Sequence, residues 1–306
     1  MALLTATQWG YRWGNDVAGL IDNVSKEIPI FQDILWRPAG EGNTHKFARV
    51  TAYPVPTFRA AGAGAYEGHT TVAQVSVTVK ILQSWASVDK ALSDWAEVLA
   101  DEAEFQFLGV ANTFENEVFY GDTDADANGF DGITDSLVFS ADNCLGAGGT
   151  GDDTTSIFFI SHGKRRFEGI YGTNGLLGMG DAYTNKRKTD GADTFLEEVT
   201  MLTNMYPAIA MYRTSDAIGQ ICNIEHAGAS NLITLALIDE MALWMKGENK
   251  VGYLHKKTWL KIKALLAAAG YDTGTGSDDS GKWNGSYSGF RFKVSDNIIL
   301  TETAKS

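Results

Sequence analysis

What the 306-residue chain lacks narrows the field first. Its two cysteines, Cys144 and Cys222, stand 78 positions apart with no CxxC spacing, which excludes a zinc ribbon and a thioredoxin-like motif, and a chain of this size needs no disulfide framework. Two buried thiols in a reducing compartment is the reading that fits. No apolar run can span a bilayer, since the longest, Leu232 to Met245, is interrupted by Asp239 and Glu240. The first residues, MALLTATQWG, have no basic region followed by an apolar core, so they do not read as a secretion signal. The expected place of synthesis is the cytosol, with no membrane partner.

The motifs of catalysis are missing as well. There is no HExxH, no GxSxG, and no lysine after a glycine-rich turn in P-loop spacing. Gly175, Gly178 and Gly180 form GxxGxG, the reverse of the dinucleotide fingerprint. Ser161 and His162 are adjacent on a strand-like run and would splay to opposite sides, so they cannot act as nucleophile and base. Cys222 and His226 stand four apart with no second pair to complete a metal site. The chain is therefore expected to be no enzyme and to carry no cofactor.

Basic residues are missing from one long segment. Residues 91 to 160 hold fifteen acids and no Lys or Arg, whereas residues 1 to 90 and 161 to 306 each carry a net charge of +1, so the chain's balance of -13 arises entirely from that segment's -15. Such a field repels phosphate, which disfavours sequence-independent nucleic-acid binding as the main activity. The basic triplets Lys164-Arg165-Arg166 and Lys186-Arg187-Lys188 read as solvated loops. Within the acidic segment, Asp124, Asp126, Asn128, Gly129 and Asp135 match positions 1, 3, 5, 6 and 12 of an EF-hand calcium loop. The flanks are not a helix pair and position 12 is the shorter Asp, so this is a weak calcium candidate.

What is present reads as an α+β chain. Glycine is plentiful at 33 residues, about 11% against a typical ~7%, and proline scarce at five, about 1.6% against ~5%. Residues 1 to 44 predict a short helix and an extended arm. Residues 45 to 55 and 70 to 82 alternate with the period of half-exposed strands, joined through TFRAAGAGAYEGH, and predict a long hairpin with a Gly62-Ala63-Gly64 tip. Such a hairpin is marginal alone and must pack on something. Residues 88 to 118 predict a helix roughly 45 Å long, with Leu92, Trp95, Leu99, Ala103, Phe107, Val110 and Phe114 on one face. Asp94, Glu97, Asp101 and Glu104 form an acidic stripe on the other. Strands are expected at 156 to 160, 169 to 171, 194 to 200, 208 to 212, 217 to 224 and 290 to 294. Helices are expected at 231 to 245 and at 256 to 269, the latter stopped by Gly270.

An ordered series of fragments carries a resemblance. WASVDKALSDW (85 to 95), FYGDT (119 to 123), GFDGITDSL (129 to 137), GGTGDDTTSIFFI (148 to 160), GIYG (169 to 172), ICNIE (221 to 225), KKTWLKI (256 to 262) and GFRFKVSDNIILTE (289 to 302) run through most of the chain. In these the sequence resembles the major capsid proteins of tailed bacteriophages with the Hong Kong 97 fold, in the branch related to short-tailed phages. The resemblance implies an N-arm at 1 to 44, an E-loop at 45 to 85, a peripheral domain at 86 to 222 with its spine helix at 88 to 118, and an axial domain at 223 to 306. It implies a subunit that self-assembles as pentamers and hexamers into an icosahedral shell around DNA, in the host cytoplasm, with Phe58, Arg59, Tyr66 and Glu67 at subunit contacts. A separate scaffolding protein, a portal and a decoration protein are the implied partners.

Two further expectations follow. Some members of the fold join subunits through an E-loop lysine, but no lysine lies between Lys46 and Lys80, so covalent crosslinking is not expected. The acidic stripe, if it faces inward, would keep packaged DNA from sticking. An encapsulin-like compartment on the same fold, and a monomeric calcium-binding module, stand as alternatives.

Overall fold

The computed structural model describes residues 28–90, 98–139, 141–173, 175–188, 195–226, 230–271 and 285–306. In chain order the elements are α1 (Pro29–Asp33), β1 (Trp36–Pro38), β2 (Thr44–Ala52), β3 (Thr71–Thr78), β4 (Leu82–Asp89), α2 (Val98–Tyr120), α3 (Ile133–Ser136), β5 (Cys144–Gly146), β6 (Thr154–Ser161), β7 (Phe167–Tyr171), β8 (Leu177–Met179), β9 (Tyr183–Lys188), β10 (Phe195–Met205), β11 (Pro207–Met211), β12 (Ile218–Glu225), α4 (Leu235–Trp244), β13 (Lys250–Leu254), α5 (Lys256–Ala268), β14 (Gly285–Tyr287) and β15 (Phe290–Val294). Among the described residues no helix is long and apolar enough to cross a membrane.

The centre of the molecule is a six-stranded mixed sheet in the order β14-β15-β13-β6-β12-β5. Every residue of β6 is buried, which explains why its centre, Ile157 to Ile160, reads as a continuous apolar run rather than an alternating one. Its successive side chains serve different cores, because strand side chains point alternately to the two faces. Phe158 and Ile160 join Phe114, Val118 and Phe119 of α2 on one side. Ile157 and Phe159 join Met241 of α4 and Trp259 and Ile262 of α5 on the other. The rings of Phe119 and Phe158 stack at 4.7 Å, and those of Phe159 and Phe290 meet at 4.6 Å.

Within the described residues the helix runs over Val98–Tyr120, and Val88 and Asp89, at the start of its expected span, belong to a strand instead. Residues 82–89 are strand β4, paired antiparallel with β10 from Leu82↔Met205 to Asp89↔Glu198. The segment WASVD alternates, burying Ala86 and Val88, and pairing with a long partner outweighs its helical spacing. Ala103, Phe107, Val110 and Phe114 lie on the buried stripe as expected. Leu92, Asp94, Trp95 and Glu97 lie outside the described residues. Two other helix acids turn inward: Glu115 accepts from Ser295 Oγ at 2.9 Å, and Glu117 from the Phe130 amide at 2.9 Å.

Residue 222 is not a break in packing. It lies within β12, and β5 and β6, which precede it, share the central sheet with β13 and β15, which follow it. The triplet Lys186-Arg187-Lys188 lies on strand β9, paired with β10, rather than in a loop, and Lys186 Nζ reaches Glu197 at 2.8 Å. Gly270 at φ +79° follows the last turn of α5, the left-handed position a helix stop requires.

Candidate subunit-contact surface

The hairpin of β2 and β3 is paired in register from Thr44↔Thr78 to Val50↔Val72. Only its root is packed. There Phe47 and Val79 join Ile170, Ala208, Ala210 and Tyr212 in a small core, with Val75 and Val77 against it. Val79 donates to Asn43 O at 2.8 Å and Lys80 to Pro207 O at 2.9 Å. Beyond the root, residues 51 to 74 are almost entirely exposed. Tyr53, Val55, Phe58, Tyr66 and Val72 are large apolar groups in open water, Phe58 wholly so.

The tip residues singled out in the sequence fall on this exposed segment. Arg59 Nη1 closes the tip by donating to Ala63 O at 2.8 Å, and Gly62 sits at φ +82° in the turn. The Tyr66 ring lies so close over Gly68 that a Cβ there would come within 2.4 Å of it. Phe58, Arg59, Tyr66 and Glu67 are thus all exposed on the hairpin.

At the root the strand forms one wall of a cleft of about 730 Å³ lined by Arg37, Lys46, Arg49, Arg165 and Arg213, beside His45 and Tyr212. No acid lines it. Beneath lies a buried polar network: Arg37 Nη1 donates to Glu168 Oε2 at 2.9 Å and to Tyr212 Oη at 3.0 Å, while His45 Nε2 meets Tyr212 Oη at 2.8 Å. Burial, reinforced by the Glu168 carboxylate, pushes the Tyr212 hydroxyl up to about 12. Burial and then Arg37 hold the His45 ring below its ordinary range, so it is neutral at pH 7. These cations come from positions 37 to 213, and only Arg165 stands in a basic run, so no local spacing signals their convergence.

The acidic loop is built differently from a calcium site. Asp122 Oδ1 accepts from the Asp124 amide at 2.8 Å, and Asp126 Oδ1 from the Asn128 amide at 2.9 Å, so these carboxylates cap turns of their own backbone. Asp124, Asp126 and Asn128 are exposed, and Asp135 belongs to the first turn of α3. Among the described residues no group of three His, Cys, Asp or Glu is gathered to hold a metal. Cys144 and Cys222 are buried free thiols on adjacent strands. Ser161 and His162 do splay apart: Ser161 Oγ accepts from Arg166 Nε at 2.9 Å, while His162 Nε2 meets Tyr253 Oη at 2.9 Å.

Comparison with known proteins places this architecture. A chain of the bacteriophage Epsilon15 structure is similar over 89% of this chain and 88% of that one, at 22% identity and a TM-score of 0.60. The bacteriophage JBD30 capsid matches at 11% identity and a TM-score of 0.44, over 76% of this chain and 80% of that one. An encapsulin of Synechococcus elongatus PCC 7942 matches at 10% identity and a TM-score of 0.43, over 63% and 85%. No curated protein sequence matches the chain. The fold is that of the Hong Kong 97-type phage capsid proteins. The family described as major capsid protein GP7 matches residues 14–306, nearly the whole sequence, and the chain belongs to that family.

Proposed function

We propose that the chain, a major capsid protein with a structural, shell-forming role, builds its shell as pentamers and hexamers of an icosahedral capsid, in which each β2–β3 hairpin lies across a neighbouring subunit and Phe58, Arg59, Tyr66 and Glu67 make the contact. One observation carries this reading. The hairpin exposes Tyr53, Val55, Phe58, Tyr66 and Val72 and packs only at its root. A two-stranded ribbon is marginal in water, and contiguous exposed apolar side chains mark interaction surfaces.

In this reading residues 45 to 85 are the E-loop, the long helix is the spine, and the sheet bearing α4 and α5 faces the capsomer axis. The shell encloses DNA without reading its sequence, and is assembled in the host cytoplasm on a separate scaffolding protein, with a portal and a decoration protein added.

The test is Phe58→Ala with Tyr66→Ala, followed by sedimentation velocity and negative-stain electron microscopy. The subunit's melting temperature should stay unchanged while rings and shells are lost. Shells of normal size and yield from the double variant would overturn the hairpin contact.

A further inference from the structure

The cleft at the hairpin root and the aspartate loop after α2 are features of opposite charge. The cleft is lined by Arg37, Lys46, Arg49, Arg165 and Arg213 and by no acid. Three of these cations already have partners, Arg37 with Glu168, Lys46 with Glu41 and Arg213 with Asp216. The cleft nevertheless keeps a positive excess, and the buried Nε of Arg49 and Nδ1 of His45 have no hydrogen-bond partner among the described residues. An unsatisfied buried donor is a cost that an incoming acceptor would relieve.

The loop is the mirror case. Asp124, Asp126 and Asp131 are exposed, in a segment without a single Lys or Arg. The nearest cations answer carbonyls: Lys80 Nζ donates to Ala127 O at 2.9 Å and Lys305 Nζ to Thr134 O at 2.7 Å. The carboxylates repel one another, and Asp135 is pushed above its ordinary range by burial and then by Asp131, Asp122 and Asp124.

One subunit cannot satisfy both features itself, because they lie at opposite ends of β11. Pro207, at its start, shares a recess with Lys80, Asp126 and Phe130. Met211, at its end, accepts from Arg49 Nη2 at 2.7 Å beside the cleft. At about 3.3 Å per residue these ends are held roughly 13 Å apart or more by a paired strand. Two different complementary patches on one chain are what a head-to-tail ring contact requires. We propose that the cation-lined cleft of one subunit receives the aspartate loop, residues 121–135, of the next copy in the capsomer. The proposal rests on the shell-forming role, and places a charge contact beside the apolar contact of the hairpin tip.

Charge reversal tests it. Lys46→Glu with Arg165→Glu turns the cleft's positive excess into a negative one, and Asp124→Lys with Asp126→Lys reverses the exposed tip of the loop. Each pair alone should lower the assembled fraction in sedimentation velocity about tenfold, and combining all four substitutions in one chain should bring it back to within about twofold of the unaltered protein. Mixing the two reversed proteins should also restore assembly, in alternating order, with rings of even number. Either reversed protein assembling normally, or a combined protein no better than its parents, would overturn the proposal. If Phe58→Ala with Tyr66→Ala abolishes shells while the reversed cleft assembles normally, the hairpin contact survives and the charge contact does not. Normal assembly together with lost binding of a fluorescent single-stranded oligonucleotide would reassign the cleft to nucleic acid.

Discussion

Tyr253 Oη donates to Asp33 Oδ2 at 2.6 Å inside the molecule, joining the central sheet to the segment before β1 across 220 positions of sequence. The Tyr253 proton is committed to that carboxylate, so the hydroxyl oxygen accepts from His162 Nε2, which must carry the imidazole proton. Lys293 Nζ closes the group on Asp33 Oδ1 at 2.9 Å. A donor chain from His162 through Tyr253 to Asp33, balanced by Lys293, thus pins α1 against the end of β6, β13 and β15.

Removing the carboxylate charge should therefore cost more than a surface ion pair. Asp33→Ala leaves the buried Lys293 ammonium without its partner, and a loss of about 3 kcal/mol is expected. Tyr253→Phe should cost about 2 kcal/mol by stranding Asp33 and His162. Urea unfolding followed by tryptophan fluorescence measures both, and losses under about 0.5 kcal/mol would mean the group is slack.

Acid stability should depend on His162. Burial is the main cause that pushes its ring down to about 4, so the native state holds it neutral where the unfolded chain binds a proton. The group's stabilisation is complete above about pH 6.5 and is lost as pH falls toward 4, about 3 kcal/mol in all. His162→Gln should flatten this limb in unfolding midpoints taken from pH 7 to 4. An unchanged slope would place the acid response elsewhere.

Gly169, in the GIYG fragment, is a site of close approach. A Cβ there would come within 2.4 Å of the Trp36 ring and 2.6 Å of Ile34 Cγ2. Trp36 is buried and itself packs on Phe31 and Phe114. Gly169→Ala should lower stability by about 2 kcal/mol through overpacking. Differential scanning calorimetry that finds the variant as stable as the parent would show that β1 can yield.

The C-terminal segment predicts a further loss. Glu302 accepts from Tyr120 Oη at 2.5 Å and from Ser156 Oγ, and its backbone bridges to Thr154. Glu302→Ala should cost about 2 kcal/mol and raise amide exchange at Thr154 and Ser156, since the Tyr120 and Ser156 hydroxyls lose their acceptor. Exchange unchanged at those positions would mean the last residues hold by their backbone alone.

Periodicity found most of the scaffold because burial on one face leaves a period. The hairpin strands, the strand at Phe290–Val294 and the helix Lys256–Ala268 all appear within a few residues of their expected bounds. It failed where pairing rather than patterning decides. WASVD carries strand and helix spacing at once, and only the presence of β10 chooses strand. Lys250–Leu254, a short run with a lysine and a glycine, carries no clear period, yet becomes the partner of both β6 and β15. The tip residues were legible as an exposed, glycine-rich turn. The cleft was not, because it is assembled from residues of four separate stretches, near 37, 45 to 53, 165 and 212 to 215.

The sharing of β6 between two cores has a kinetic consequence. β6 pairs with β12 and β13, so its flanks are completed by segments made some 60 to 100 positions later. Contacts that distant close slowly. Until residues near 254 have left the ribosome, this fully buried strand has one edge bare, so the nascent chain is aggregation-prone through most of its synthesis. Chaperone capacity during synthesis, rather than the final strength of subunit contacts, is then expected to limit the yield of competent subunits.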